Sequence, residues 1–172
     1  MAVESLFDLK SLDLGLVADR AGIAEMNAHR GSFALIDEIV HLNDEMTRCV
    51  ARMAVRKDAF WAPCHIPGRP IMPGVLLVEA GAQAASYMYY RKSQKKWFAG
   101  FTRIQEATFR GMVEPDCTLY LLVDEQKYNP KRFVTKLQGQ VDGEIVFDAQ
   151  ITGMAFPHLG DVERKPLAEA QV

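Results

Sequence analysis

The chain has 172 residues, of which 49% are hydrophobic and 24% charged, and carries a formal net charge of -2. That composition is of an ordinary globular protein, one domain able to bury roughly 70% of the surface its unfolded chain would expose. The charge gives no support to nucleic-acid binding, and the odd, scattered cysteines Cys49, Cys64 and Cys117 argue against a disulfide framework and fit a reducing compartment.

The first ten residues, MAVESLFDLK, place acids early and hold no apolar segment of the kind that heads a secreted chain. A cytoplasmic protein is expected. Ala18 to Ala28 is a candidate short helix, with Asp19 as its cap. Phe33 to Leu42 (FALIDEIVHL) reads as a strand, or a helical turn running into one. Arg48 to Arg56 alternates charged and apolar residues, the pattern of a half-buried strand. Ala59 to Cys64 is a bulky aromatic-and-proline connection.

The stretch from Cys64 to Tyr90 organises the rest. Its first half holds three prolines and two glycines between His65 and Gly74, so it is neither regular helix nor central strand. Its second half is free of proline and rich in Leu, Ala and Met, so it reads as helix. Between Val75 and Tyr90 the only formal charge is Glu79. A helix apolar on all sides is buried in a core or a membrane. This one is shorter than the roughly 20 apolar residues a bilayer needs, and it carries Glu79 and Gln83, which favours a protein core.

Arg91-Lys92-Ser93-Gln94-Lys95-Lys96 is a polar exit whose cations oppose the negative helix end. The remainder reads as all-β: Trp97 to Ile104, Ala107 to Met112, Thr118 to Val123, Phe133 to Val141 and Glu144 to Phe156. Asp142-Gly143 is the clearest hairpin turn, and Asn129-Pro130-Lys131 marks another. From Pro157 onward a loose tail is expected. The class is therefore α+β, a long central helix wrapped by a curved antiparallel sheet of about six strands. Burying such a helix on every side calls for a second sheet or a second subunit, so a homodimer is expected.

Three positions are candidates for chemistry. His65 sits in a stiff turn and has the titration range of a general base; taken alone, it reads as a histidine satisfied by nearby backbone. Glu79 is an acid inside an apolar helix, where lost hydration favours its protonated form. Gln83 lies one turn further on the same face, able to hold the carboxyl group or a water. Gly74 stands at the helix start, where amide groups point outward and a missing side chain lets a carbonyl approach. Base, acid and amide donor together suggest proton abstraction next to a carbonyl, with loss or addition of a group.

The run from His65 to Gln83, HIPGRPIMPGVLLVEAGAQ, closely resembles the active-site segment HFPGxPxxPGVLxxEAxAQ of the 3-hydroxyacyl-[acyl carrier protein] dehydratases. His29 to Asp37 (HRGSFALID) looks like that family's HRxPFLLVD opening. Phe98 to Leu119 looks like its following strands and VxPGDxL loop. The resemblance covers residues 23–156, leaving an N-terminal extension (1–22) and a C-terminal tail (157–172). It implies the hot-dog fold, and a homodimer or a trimer of such dimers, with two sites at each subunit interface. His65 of one chain would take the C2 proton of a 3-hydroxyacyl thioester. Glu79 of the other would protonate the departing hydroxyl, and the Gly74 N–H would polarise the thioester carbonyl. Pro73, Val75 and Gln83 would complete the substrate contacts. The product would be a trans-2-enoyl thioester and water, with no cofactor and no metal. The expected partner is an acyl carrier protein, or coenzyme A, bearing the acyl chain; neither nucleic acid nor membrane is expected.

The chain departs from the pattern at several points. Ile66 replaces Phe, Pro115-Asp116-Cys117 replaces Pro-Gly-Asp, and Gly81 replaces Met, which would leave space beside the acid. Cys64 and Met72 are closer to the related dehydratase/isomerase branch, whereas Glu79 belongs to the FabZ-like branch. Cys64 is expected to be a buried spectator thiol. Arg91, Lys92, Lys95 and Lys96 are candidates for meeting an acidic carrier, or are simply a solvated helix exit; Arg69, Arg103 and Arg110 are lesser candidates. The rival functions are a hot-dog thioesterase and a non-catalytic acyl-binding protein.

Overall fold

A computed structural model describes residues 3–94 and 97–156. In chain order the elements are α1 (Arg20–Met26), β1 (Glu38–Leu42), β2 (Arg48–Val55), α2 (Gly74–Ser93), β3 (Phe98–Phe109), β4 (Cys117–Asn129), β5 (Arg132–Val141) and β6 (Glu144–Phe156). Two short 3-10 turns, Leu9–Ser11 and Gly31–Phe33, precede β1.

The six strands form one antiparallel sheet in the order β1-β2-β4-β5-β6-β3. Helix α2 packs against β2, β3, β4, β5 and β6, so the sheet curls round it. Twelve residues of α2 are buried, more than one stripe of a helix would supply. This is the wrapped-helix, hot-dog arrangement. Among the described residues no helix is long and apolar enough to cross a membrane.

Local chemistry accounts for the ends of the elements. Asp19 caps α1, its Oδ1 accepting from Gly22 N at 2.9 Å. Pro73 lacks an N–H and precedes α2 at no cost, because a helix start leaves its first amides unpaired. The helix stops at Gln94, which turns left-handed at φ +55° while its N–H bonds Tyr90 O. Asp142 and Gly143 both take positive φ, +50° and +83°, and join β5 to β6 in the tight turn the sequence predicts. Asn129 Oδ1 accepts from Lys131 N and Arg132 N at 3.0 and 2.9 Å, closing the β4–β5 turn.

The sheet differs from expectation after α2. The segments read as two strands, Trp97 to Ile104 and Ala107 to Met112, are one strand, β3. Its pairing with β6 shifts between Phe101 and Arg103, and again between Ile104 and Glu106. Each irregularity breaks the two-residue alternation, so the sequence shows an interruption where the backbone continues.

Two buried amides on the outer face of β5 are covered by the N-terminal segment. Gln138 accepts from Leu6 N at 3.1 Å and donates to Glu4 O at 3.2 Å, and Gln140 donates to Ser5 Oγ at 2.7 Å. The space expected beside the acid at Gly81 is filled. A Cβ on Gly81 would stand 3.0 Å from Leu137 Cδ1 of β5, so the glycine admits a sheet side chain rather than leaving a void. The tail from Pro157 onward, Lys95 and Lys96 lie outside the described residues.

Candidate active site

The turn that carries His65 is built from its prolines and glycines. Arg69 N bonds Ile66 O at 3.0 Å across Pro67-Gly68, and Gly68 takes φ +83°. Proline then glycine at the two central positions is the signature of a type II turn. His65 N bonds Trp61 O at 2.8 Å, tying the residue back to a buried tryptophan. The imidazole Nδ1 is 2.8 Å from Ile71 O. A carbonyl oxygen only accepts, so Nδ1 carries the proton and Nε2 is left with its lone pair. The side chain is exposed.

Gly74 opens α2. Leu76 N and Leu77 N bond Pro73 O at 2.9 and 3.4 Å, while the N–H groups of Gly74 and Val75 have no backbone acceptor among the described residues. Phe109 lies flat against the glycine, its Cε1 2.9 Å from where a Cβ would stand. Val75 is 73% exposed, although it is apolar and heads the central helix.

Glu79 faces a cleft of about 210 Å³ lined by His29, Ala82, Ser86, Tyr90, Phe98 and Phe101 among others. Ala82, Ser86 and Tyr90 follow Glu79 along one face of α2, and the small Ala82 and Ser86 leave room beside the acid. Glu79 Oε1 accepts from Gln83 Nε2 at 3.0 Å. The same Gln83 amide donates to Phe33 O at 2.8 Å, and its Oε1 accepts from Leu35 N at 3.0 Å. Those two backbone partners fix which end of the amide is the donor. Asn27 Nδ2 donates to Gln83 O at 2.9 Å and ties the end of α1 to the same turn of α2.

His29 also belongs to this constellation, a residue the sequence reading did not single out. Its Nε2 is 3.4 Å from Glu79 Oε1. Burial lowers its pKa below 6.5, against the opposing pull of the Glu79 charge and with help from Arg30. The signal for it was the His29-Arg30 pair in the segment before β1, but nothing in that segment alone points at α2.

His65 and Glu79 are not brought together within one chain, because His65 does not line the Glu79 cleft. Pro73, Gly74 and Val75 are likewise absent from its walls, and Gln83 acts from behind the acid rather than from the surface.

The family model of the FabA-like domain matches residues 27–150. The chain belongs to the FabA-like family. It is 30% identical over 144 residues to a 3-hydroxyacyl-[acyl-carrier-protein] dehydratase FabZ of Rickettsia felis, covering 81% of this chain and 97% of the relative. The equivalent protein of Rickettsia africae is 31% identical over the same length and the same shares of both chains. Among solved structures, the dehydratase heterocomplex ApeI:P of Xenorhabdus doucetiae superposes with a TM-score of 0.66 at 13% identity, covering 78% of this chain and 90% of that one. A hypothetical thioesterase with coenzyme A from Streptococcus pneumoniae superposes with a TM-score of 0.55 at 12% identity, over 69% and 84% of the two chains. These last two likenesses concern the fold alone.

Membership in the FabA-like family makes the remaining departures easier to place. Asp116 stands where the family's loop has glycine, and it takes φ +69°. Aspartate tolerates that region better than most residues, so the turn survives the substitution. Asp116 N bonds Val55 O at 2.8 Å, and its carboxylate pairs with Lys57. Cys64, expected to be buried, is exposed, with its thiol 3.4 Å from Phe60 O. The proline-rich turn carries it outward with His65. Cys49 is the buried thiol, its pKa pushed up to about 12 by burial.

The cations considered for a carrier protein are largely engaged. Lys92 pairs with Glu125 and lies 4.3 Å above the Tyr128 ring. Arg91 donates to Tyr87 Oη at 3.1 Å. Arg69 pairs with Glu114 at 3.0 Å and Arg110 with Asp148 at 2.5 Å. Arg103, exposed on β3, forms no ion pair among the described residues.

Proposed function

We propose that this protein dehydrates a 3-hydroxyacyl thioester, carried on acyl carrier protein in the cytoplasm, to the trans-2-enoyl thioester. The observation that carries the reading is the state of the two ionisable groups. His65 has its Nδ1 proton committed to Ile71 O and its Nε2 open, as a base requires. Glu79 has Oε1 occupied by Gln83 and Oε2 without a protein partner among the described residues, as an acid facing a cleft requires.

The steps follow from those groups. His65 Nε2 takes a proton from C2 of the acyl chain. The electron pair left behind moves toward the thioester carbonyl, whose growing negative charge meets the Gly74 N–H. The pair then forms the C2–C3 double bond as the C3–O bond breaks, and the proton on Glu79 Oε2 leaves with the hydroxyl as water. His65 then holds one proton too many and Glu79 one too few, and exchange with solvent resets both.

A homodimer completes the site in this reading, His65 of one chain reaching Glu79 of the other. Three features support it. His65 and Glu79 do not share a cleft within one chain. Residues 101–107 of β3 are exposed without alternation, so neither face of that edge is covered. Phe101, Ile104, Phe109, Val75 and Ile66 are between 41% and 73% exposed. An open strand edge with exposed apolar residues is a template for another chain.

The test is an assay of purified protein with 3-hydroxybutyryl-acyl carrier protein, followed by mass. Loss of one water, abolished in both His65→Ala and Glu79→Gln, is expected. Release of free thiol instead would mark a thioesterase, and binding without turnover an acyl-binding protein.

A further inference from the structure

One nitrogen in the cleft wall is left without a role by the mechanism above. His29 Nδ1 is buried and makes no hydrogen bond, although a buried ring nitrogen normally finds a partner. Its other nitrogen faces the acid, with Nε2 3.4 Å from Glu79 Oε1, at the long edge of hydrogen-bond distance. Such contacts tighten when substrate closes an active site. The ring stacks on Phe33 at 6.2 Å between centroids, and Phe33 O is itself held by Gln83. The imidazole is thus aimed at the carboxyl group by the same segment that orients Gln83.

We propose that His29 is a positioning residue for Glu79, its neutral imidazole donating Nε2–H to Oε1 so that the catalytic proton is confined to Oε2. The inference rests on the reading of Glu79 as the acid.

Two donors on one oxygen leave the other as the only site for a proton. Oε1 accepts from Gln83 Nε2, and His29 Nε2 stands 3.4 Å from the same oxygen as the second donor of this proposal. Oε2 then carries the proton that leaves with the hydroxyl. The arrangement works only while His29 is uncharged. An imidazolium at that distance would hold Glu79 as carboxylate and remove the acid. Three charged groups face or flank the ring. Glu79 on α2 favours the imidazolium, and Arg30 beside it opposes it. Arg20 lines the small cavity behind the ring, but it is paired with Asp37 at 2.7 Å. Burial outweighs the Glu79 attraction, so the ring is neutral near pH 7. The unpartnered Nδ1 fits this account: the proton sits on Nε2, and Nδ1 is the lone-pair nitrogen.

The experiment compares His29→Ala, His29→Gln and His29→Lys with the unchanged protein and Glu79→Gln, measuring kcat, KM and the pH dependence of kcat. His29→Ala is expected to lose about tenfold to hundredfold in kcat with KM nearly unchanged, since only the acid is misplaced. His29→Gln, which keeps a neutral N–H donor at similar reach, restores most of that loss. His29→Lys moves the descending, high-pH limb to lower pH, because a fixed cation favours ionised Glu79. Unchanged kcat in His29→Ala, no recovery in His29→Gln, or an unmoved limb in His29→Lys overturns the proposal. Melting curves accompany each variant, and if His29→Ala does not fold, the Gln and Lys profiles decide. An inactive Glu79→Gln beside a normal His29→Ala sinks this inference alone. An active Glu79→Gln sinks the reading beneath it as well.

Discussion

Gln83 Nε2 donates to Glu79 Oε1 at 3.0 Å, one helical turn away, while the rest of the same amide closes Phe33 O and Leu35 N. One buried side chain therefore sets the acid on α2 and ties the segment before β1 to the helix. It is 1% exposed, so water does not replace what it supplies.

Gln83→Leu keeps the volume and removes every one of those bonds. Leu35 N would be left buried and unpaired and Phe33 O would lose its partner, at a cost of about 2–4 kcal/mol in stability. The melting temperature should fall by roughly 5–15 °C, at about 2–4 °C per kcal/mol for a chain of this size. Activity measured well below the new midpoint should fall too, because Oε1 loses the Gln83 donor. A variant that melts with the parent protein would show that the amide bonds contribute nothing net.

A second expectation concerns acid. Burial of Asp37 pushes its pKa up, but the Ala54 N–H at 2.7 Å and the Arg20 and Arg56 guanidinium groups outweigh it, so the pKa lies below 3.8. A carboxylate depressed by folding stabilises the protein above its unfolded pKa. That contribution is lost as pH falls from about 4 through the folded value. Asp37→Asn should therefore be less stable than the parent at pH 7, by about 1–3 kcal/mol for its charged hydrogen bonds. The difference should shrink steadily below about pH 4. Urea melts across that range measure it, and a difference independent of pH would remove the electrostatic account.

The proposed dimer is tested at the edge strand. Ile104→Lys puts a charge on a residue that is 48% exposed in the single chain and sits mid-way along β3. Lysine on an edge blocks strand addition. Sedimentation should find the parent protein as a dimer and the variant as a monomer, with dehydration lost and secondary structure retained. An active monomer would mean that one chain suffices.

Much of this molecule was legible because its signals are local. The spacing of four between Glu79 and Gln83 puts both on one helix face whatever surrounds them. Asp142-Gly143 makes its turn through the φ angles of those two residues. Pro67-Gly68 bends the backbone under His65 for the same reason. The apolar run after Gly74 demanded burial, and a chain otherwise made of strands left a wrapping sheet as the way to provide it.

The rest was decided by which strands lie side by side, and no local pattern encodes that order. His29 meets Glu79 only because α1 and the segment before β1 pack on α2. Leu137 enters the gap at Gly81 only because β5 crosses the helix there. Lys92 is engaged by Glu125 from β4, and β3 runs through two irregularities that resemble a break in the sequence. Sequence by itself determined the turns, the buried helix and the spacing of His65, Gly74 and Glu79, because dihedral preference and helical periodicity act over a few residues. Tertiary structure alone decided that His29 stands beside Glu79 and that His65 and Glu79 do not share a cleft within one chain, because those placements depend on packing between residues far apart in sequence.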